Sequence, residues 1–313
     1  MNTQSSLTSV KTTRKKGEEM RNPADKFHLE DHAPHYGRPD CKICYGMGIQ
    51  FDPAGGGKAE GAFVLCACVE EMTLCAGKAP YEYYDSARNV MAACPSKPAR
   101  LALDRIRVLL RKSGVPARYS GRFFSTIDLE YAYLSPDEGK KAHNSMLCAL
   151  DYAIDLFRTM GTDNVKGLYL YGGTGCGKTL IACATLNEMI RLYQLPVRYA
   201  KINRDVIGRL KDTFNPNSES YGEGAKIEAE LAEVPVLVID DFGVHQETPW
   251  VNAIMYNLID QRYEDGRPTI ITSNDPIEAL KETMRGRLYS RINEMCNIVR
   301  IEAPDYRLKG RPL

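Results

Sequence analysis

The sequence predicts an α/β protein with a mostly parallel central sheet, preceded by a small, partly helical module that carries four clustered cysteines. Three observations lead there. After Arg118, short apolar runs alternate with segments of helical period, the texture of strands and helices stacked in layers. The first of those runs opens directly into a glycine-rich loop, Gly172 to Thr179. Upstream, Cys41, Cys44, Cys66 and Cys68 lie close together among glycines.

With 313 residues, 43% of them apolar, the chain is long enough for a substantial core and about two domains. A formal net charge of +1 gives no global field of the kind that marks an obligate nucleic-acid binder, so any such contact must be local. No stretch approaches the roughly 18 uncharged apolar residues of a membrane span, and the N-terminus lacks the apolar core of an export signal. A cytoplasmic protein is expected, with its ten cysteines serving as reduced thiols or metal ligands rather than a disulfide scaffold.

Residues 1–38 are polar and nearly free of large apolar side chains, so a flexible tail is expected. Its Lys11, Arg14, Lys15 and Lys16 either touch nucleic acid or form a solvated run. The module from 39 to 112 begins with two short apolar runs, Ile49–Phe51 and Ala62–Leu65, split by Gly55-Gly56-Gly57 and read as a hairpin. From Glu70 to Lys112 the pattern reads as helical, with Leu103, Ile106 and Leu110 on one face and Pro95 and Pro98 breaking it upstream. Ser113-Gly114-Val115-Pro116 reads as a linker into the second unit, 113–313. There Met146, Ala149, Leu150, Ala153, Ile154 and Phe157 repeat at the helical period, as do Val251, Ile254, Met255, Leu258 and Ile259. Buried strands are expected at 168–171, 197–200, 236–239, 269–272 and 298–301.

Gly172-Gly173-Thr174-Gly175-Cys176-Gly177-Lys178-Thr179 fits the phosphate-loop pattern G-x-x-x-x-G-K-[ST]. Glycines let the backbone wrap a polyphosphate with its N–H groups turned inward. Lys178 is expected at the β- and γ-phosphates, Thr179 on magnesium, and the following helix aims its positive end at the phosphates. Val236 to Ile239 is a continuous apolar strand tipped by Asp240 and Asp241. A buried strand carries such a pair only where a cation or solvent meets it; Asp240 suits the magnesium shell, and Asp241 the attacking water. Thr269 to Thr272 ends in Ser273 and Asn274; placed between the other two strands, Asn274 reaches the γ-phosphate or the water, and otherwise it is a turn residue. Arg287 and Arg291 share a helical face that meets a neighbouring subunit's ATP, or else DNA or solvent. Arg198, Tyr199, Lys201, Arg204, Arg209, Lys211 and Phe214 form a basic and aromatic mixture that tracks single-stranded DNA or simply faces solvent.

Cys41-x-x-Cys44 and Cys66-x-Cys68, facing each other across a hairpin, offer four soft ligands from two turns, a set that suits a closed structural zinc, with iron–sulfur ligation and unliganded thiols as the alternatives. Cys75 is an alternative to Cys68. In so small a segment, metal would substitute for a hydrophobic core.

The phosphate loop, Val238-Ile239-Asp240-Asp241-Phe242-Gly243, Thr272-Ser273-Asn274, the lead-in Ser113 to Tyr119 and the terminal Asp305-Tyr306-Arg307 together resemble the AAA+ domain of bacterial and phage replicative helicase loaders, the DnaC/DnaI-like family. The resemblance spans about 113–308. It implies a three-layer AAA+ P-loop domain that uses ATP and magnesium, associates with itself, binds a DnaB-type hexameric helicase and helps place it on single-stranded DNA. It further implies that Arg291 is an arginine finger, Asn274 the first sensor, and 39–112 a zinc-bearing helicase-docking domain. Many AAA+ proteins carry Glu where this chain has Asp241, so slow, assembly-dependent turnover is expected. An IstB-like transposition helper ATPase is the competing assignment.

Overall fold

The computed structural model describes residues 34–54, 61–129, 136–243, 248–281 and 286–308. The basic residues between Lys11 and Lys16, the Gly55–Gly57 turn and Arg285 lie outside them.

The expected first hairpin forms from β1 (Ile49–Asp52) and β2 (Ala62–Leu65), antiparallel with Ile49 opposite Leu65. A short helix, α1 (Ala67–Glu71), starts directly at the second cysteine pair. The stretch after it departs from the helical expectation. A second antiparallel hairpin, β3 (Glu82–Asp85) and β4 (Val90–Ala93), occupies it. Its residues are exposed or half-buried, so it shows no core-facing pattern for the sequence to reveal. The helix itself, α2 (Lys97–Ser113), starts one residue before Pro98. Pro98 therefore does not break the helix: in the first turn its missing N–H has no partner to lose.

At the other end of α2, Gly114 adopts φ 71°, and a Cβ there would stand 2.7 Å from the Tyr199 carbonyl oxygen. That close approach ties the expected linker onto the second unit. The core is accordingly continuous: Met47, Ile49, Phe63, Leu103 and Ile106 belong to the same buried cluster as Phe123, Leu168 and Ile181. Phe51, Phe63 and Phe123 meet edge to face, with ring centroids 5.3, 5.5 and 5.9 Å apart.

In the second unit α3 (Pro136–Thr159) precedes β5 (Gly167–Gly172), and α4 (Lys178–Tyr193) follows it. β6 (Val197–Lys201) runs into a seven-residue π-helical turn, Ile202–Gly208, and then α5 (Arg209–Asp212) and α6 (Gly224–Glu233). β7 (Val236–Phe242), α7 (Pro249–Glu264), β8 (Thr269–Ser273), α8 (Arg287–Met295) and β9 (Cys296–Ile301) complete the fold. All five expected strands form, and they pair in parallel in the order β6-β7-β8-β5-β9. One buried cluster packs α3 and α4 against the sheet, and a second packs α6, α7 and α8 against its opposite face. β8 lies between the phosphate-loop strand and the carboxylate strand, the placement on which the role of Asn274 depends.

Among the described residues, no helix is long and apolar enough to cross a membrane.

Candidate nucleotide site and cysteine centre

Because β5, β7 and β8 are adjacent and parallel, their C-terminal ends converge on one edge of the sheet, where ligands of such folds bind. The loop from Gly172 to Gly177 leaves β5 and enters α4 there. Gly175 takes φ 73°, and a Cβ on it would fall 1.7 Å from Asp305 Oδ1. The Tyr306 N–H also donates to the Gly175 carbonyl at 3.1 Å, so the terminal Asp305-Tyr306-Arg307 motif closes over the loop.

Lys178 is buried, and its ammonium donates to the carbonyls of Gly172 and Gly173 at 2.8 and 2.7 Å and to Asn274 Oδ1 at 3.0 Å. Asn274 thus reaches the loop from β8. Asp240 stands at the same edge, with Oδ1 accepting from the hydroxyls of Thr179 at 2.8 Å and Thr272 at 2.6 Å. Its Oδ2 accepts from the Tyr199 hydroxyl at 2.6 Å. Burial, then the hydrogen bond and charge of Asp240, push the Tyr199 pKa far up, which keeps this phenol a donor. Asp241 turns away with φ 65°, its N–H on Thr272 Oγ1 at 3.1 Å and its exposed carboxylate 3.0 Å from the Lys201 ammonium. A cleft of about 490 Å³ opens beside Gly172, Gly173 and Asn274 and is walled by Arg300 and Glu302.

The structure therefore gathers Lys178, Thr179, Asp240 and Asn274, with Asp241 at the rim. Arg291 stands apart. Its guanidinium pairs with Asp260 of α7 and lies over the rings of Tyr256 and Tyr263, 5.0 and 5.7 Å from their centroids. Arg287 is exposed.

The basic and aromatic segment is largely spent on internal partners. Arg198 donates to the Lys112 carbonyl at 2.6 Å, and both Arg198 and Arg209 pair with Glu230. Arg204 pairs with Asp205, Lys201 with Asp241, and Tyr199 is buried on Asp240. Arg204, Lys211 and Phe214 are the exposed members of this group, and Phe214 meets Trp250 edge-on at 6.1 Å. Reading the run by composition overlooked Tyr199 as part of the site. The signal that finds it needs the strand order: Tyr199 is two residues from Lys201, which lies opposite Asp240 in the parallel register.

The four expected cysteines come together. Cys41 and Cys66 sulfurs are 3.7 Å apart, Cys44 and Cys68 3.6 Å, and all four ligand atoms lie within 4.8 Å of one another. A tetrahedron with metal–sulfur bonds of about 2.3 Å has edges of about 3.8 Å, so the spacing can hold one metal ion. Backbone N–H groups of Cys44 and Ile43 draw the Cys41 thiol down to about 6, whereas burial pushes Cys44 up to about 12. Cys75 is not part of this set. It neighbours Cys94, whose sulfur accepts the Leu74 N–H at 3.2 Å.

A family model described as "IstB-like ATP binding protein" matches residues 153–313. The replicative helicase loader DnaC of Escherichia coli (strain K12) is 28% identical over 129 residues, 41% of this chain and 51% of that protein. The replicative helicase loader DnaI of Bacillus subtilis (strain 168) is 26% identical over 244 residues, 72% of this chain and 68% of DnaI. The phage-like element PBSX protein XkdC of the same organism is 29% identical over 174 residues, 52% and 60% of the two chains. This chain thus spans about half the length of the DnaC proteins it matches. The family match covers the phosphate loop, both aspartates and Asn274, and on that ground the chain belongs to the IstB-like ATP binding proteins.

Proposed function

We propose that this protein hydrolyses ATP to ADP and phosphate in order to place a DnaB-type hexameric helicase on single-stranded DNA at the start of replication. The observation that carries the reading is the convergence of Lys178, Thr179, Asp240 and Asn274 at one sheet edge. The loop amides and Lys178 would bind the phosphates, the ammonium leaving the Gly172 and Gly173 carbonyls for phosphate oxygens. The Thr179 hydroxyl and the Asp240 carboxylate, 2.8 Å apart, offer adjacent oxygen ligands and would hold magnesium. A magnesium ion held there would supply the positive charge that offsets charge developing on the transferred group. Asp241 would orient the attacking water and take its proton, and Asn274 would sense the γ-phosphate. Arg291 would serve the site of a neighbouring copy, which makes turnover slow in isolation and dependent on self-association.

In this reading residues 39–112 dock the helicase and 113–313 form the ATPase unit, with Cys41, Cys44, Cys66 and Cys68 holding a structural zinc. The names of the DnaC and DnaI relatives and the cysteine centre support a loader. A transposition helper ATPase is the second reading, favoured by the IstB-like description of the matching model.

The test is co-purification of the full chain with a replicative helicase, with and without ATP, followed by helicase deposition on circular single-stranded DNA. ATP-dependent deposition is expected. Failure to bind helicase, with ATP hydrolysis intact, would favour the transposition helper.

A further inference from the structure

β6 is an edge strand of the five-stranded sheet, yet it supplies a partner to each of the two carboxylates at the end of β7. The Lys201 contact is exposed, whereas the Tyr199 contact is sealed, with the residue 4% exposed. At Asp240 the two oxygens are treated differently. Oδ1 receives the hydroxyls of Thr179 and Thr272, and, among the described residues, Oδ2 receives the phenol of Tyr199. A carboxylate on a strand tip has one free rotation about its last bond, and three donors from three separate elements, α4, β8 and β6, remove it. If Thr179 and Asp240 held magnesium, the ion would share the Oδ1 side of the carboxylate with the hydroxyls of Thr179 and Thr272, whereas the Tyr199 hydroxyl on Oδ2 lies on the other side. Tyr199 would then be the donor that fixes the plane of the carboxylate from the oxygen turned away from the ion.

We propose that Tyr199 is a positioning residue for the metal: its hydroxyl holds Asp240 Oδ2 so that Oδ1 is presented to magnesium beside Thr179. This rests on the nucleotide-site reading above. A second consequence follows from chain order. β6 continues without a break into the π-helical turn Ile202–Gly208, and Lys201 N–H donates to Asp205 within that turn at 2.9 Å. The backbone that carries Tyr199 is thereby anchored to the segment bearing the exposed Lys211 and Phe214.

Tyr199→Phe tests the proposal, because it removes one oxygen and leaves the ring in its packing. A fluorescent ATP analogue is titrated onto wild type and variant in chelator, and magnesium is then added back. Expected is equal affinity in chelator, with the magnesium concentration for half-maximal enhancement raised about tenfold in the variant, the size typical of losing a partner that orients a metal ligand. Thermal unfolding without nucleotide is followed in parallel and is expected to match wild type. An unchanged magnesium midpoint would overturn the proposal. So would an equal loss of affinity with and without magnesium, or a large drop in thermal stability, either of which would mark Tyr199 as a packing residue. If wild type itself shows no magnesium dependence, the nucleotide-site reading fails and the role of Tyr199 goes with it.

Discussion

Replacing Lys201 with methionine tests how the carboxylate assigned to the attacking water is restrained. The Lys201 ammonium sits 3.0 Å from Asp241 Oδ2, with the two side chains 42% and 50% exposed. An ion pair this open to water is worth about 0.2–1 kcal/mol. At RT of about 0.59 kcal/mol, that holds Asp241 back by a factor between about 1.4 and 5. Methionine keeps the length of the side chain and removes the charge. Phosphate release at saturating Mg-ATP is expected to rise by up to about fivefold with KM unchanged, while Lys201→Arg, which preserves the pair, stays near wild type. Added salt should shrink the difference, because it screens the wild-type pair and has nothing to screen in the variant. A fall in kcat on Lys201→Met would refute the reasoning, since it would mean that the ammonium assists the reaction instead of holding Asp241 out of it.

Lys178→Ala is expected to weaken Mg-ATP binding by about 10- to 100-fold, the loss of a charge-assisted contact, measured by equilibrium titration. Arg291→Ala should leave nucleotide affinity intact and cut assembly-stimulated turnover by about 10³-fold, seen as a flat dependence of specific activity on protein concentration. Arg262 is fully buried and donates to the carbonyls of Leu231, Ala232, Val234 and Pro268 and to Thr269 Oγ1. Arg262→Met leaves those acceptors bare and is expected to cost about 3–5 kcal/mol in urea unfolding. Metal analysis of the purified chain is expected to find one zinc, lost on Cys44→Ser together with the fold of the segment around it; a metal-free protein with that segment intact would remove the zinc assignment.

The sheet was legible because β5, β7 and β8 are buried on both faces and read as unbroken apolar runs such as Val236 to Ile239. The phosphate loop and the cysteine cluster were legible for a different reason: their chemistry fixes residue type and spacing together. Where neither constraint operates, the reading failed. Tyr83 and Ala92 are at most half-buried in the β3–β4 hairpin, so no alternation separated it from the helix that follows. The run from Arg198 to Arg209 looked like a free basic face because its neutralising partner, Glu230, arrives from α6 far along the chain. Tyr199 was readable only once the neighbour of β7 was known, since composition says nothing about which strand lies beside Asp240. The bond between Arg291 and Asp260 likewise depends on how α7 and α8 pack.

The three interlocked phenylalanine rings leave no hinge between the cysteine hairpin and the helix that starts at Lys178. Phe123 sits under the Arg191 guanidinium of that helix at 4.6 Å, and the next residue's N–H is held by Glu188 at 3.1 Å. Whatever grips the N-terminal module therefore takes hold of a handle welded to the far end of the helix that follows the glycine-rich loop. A pull on it must either tilt that helix or pry aromatic surface into water.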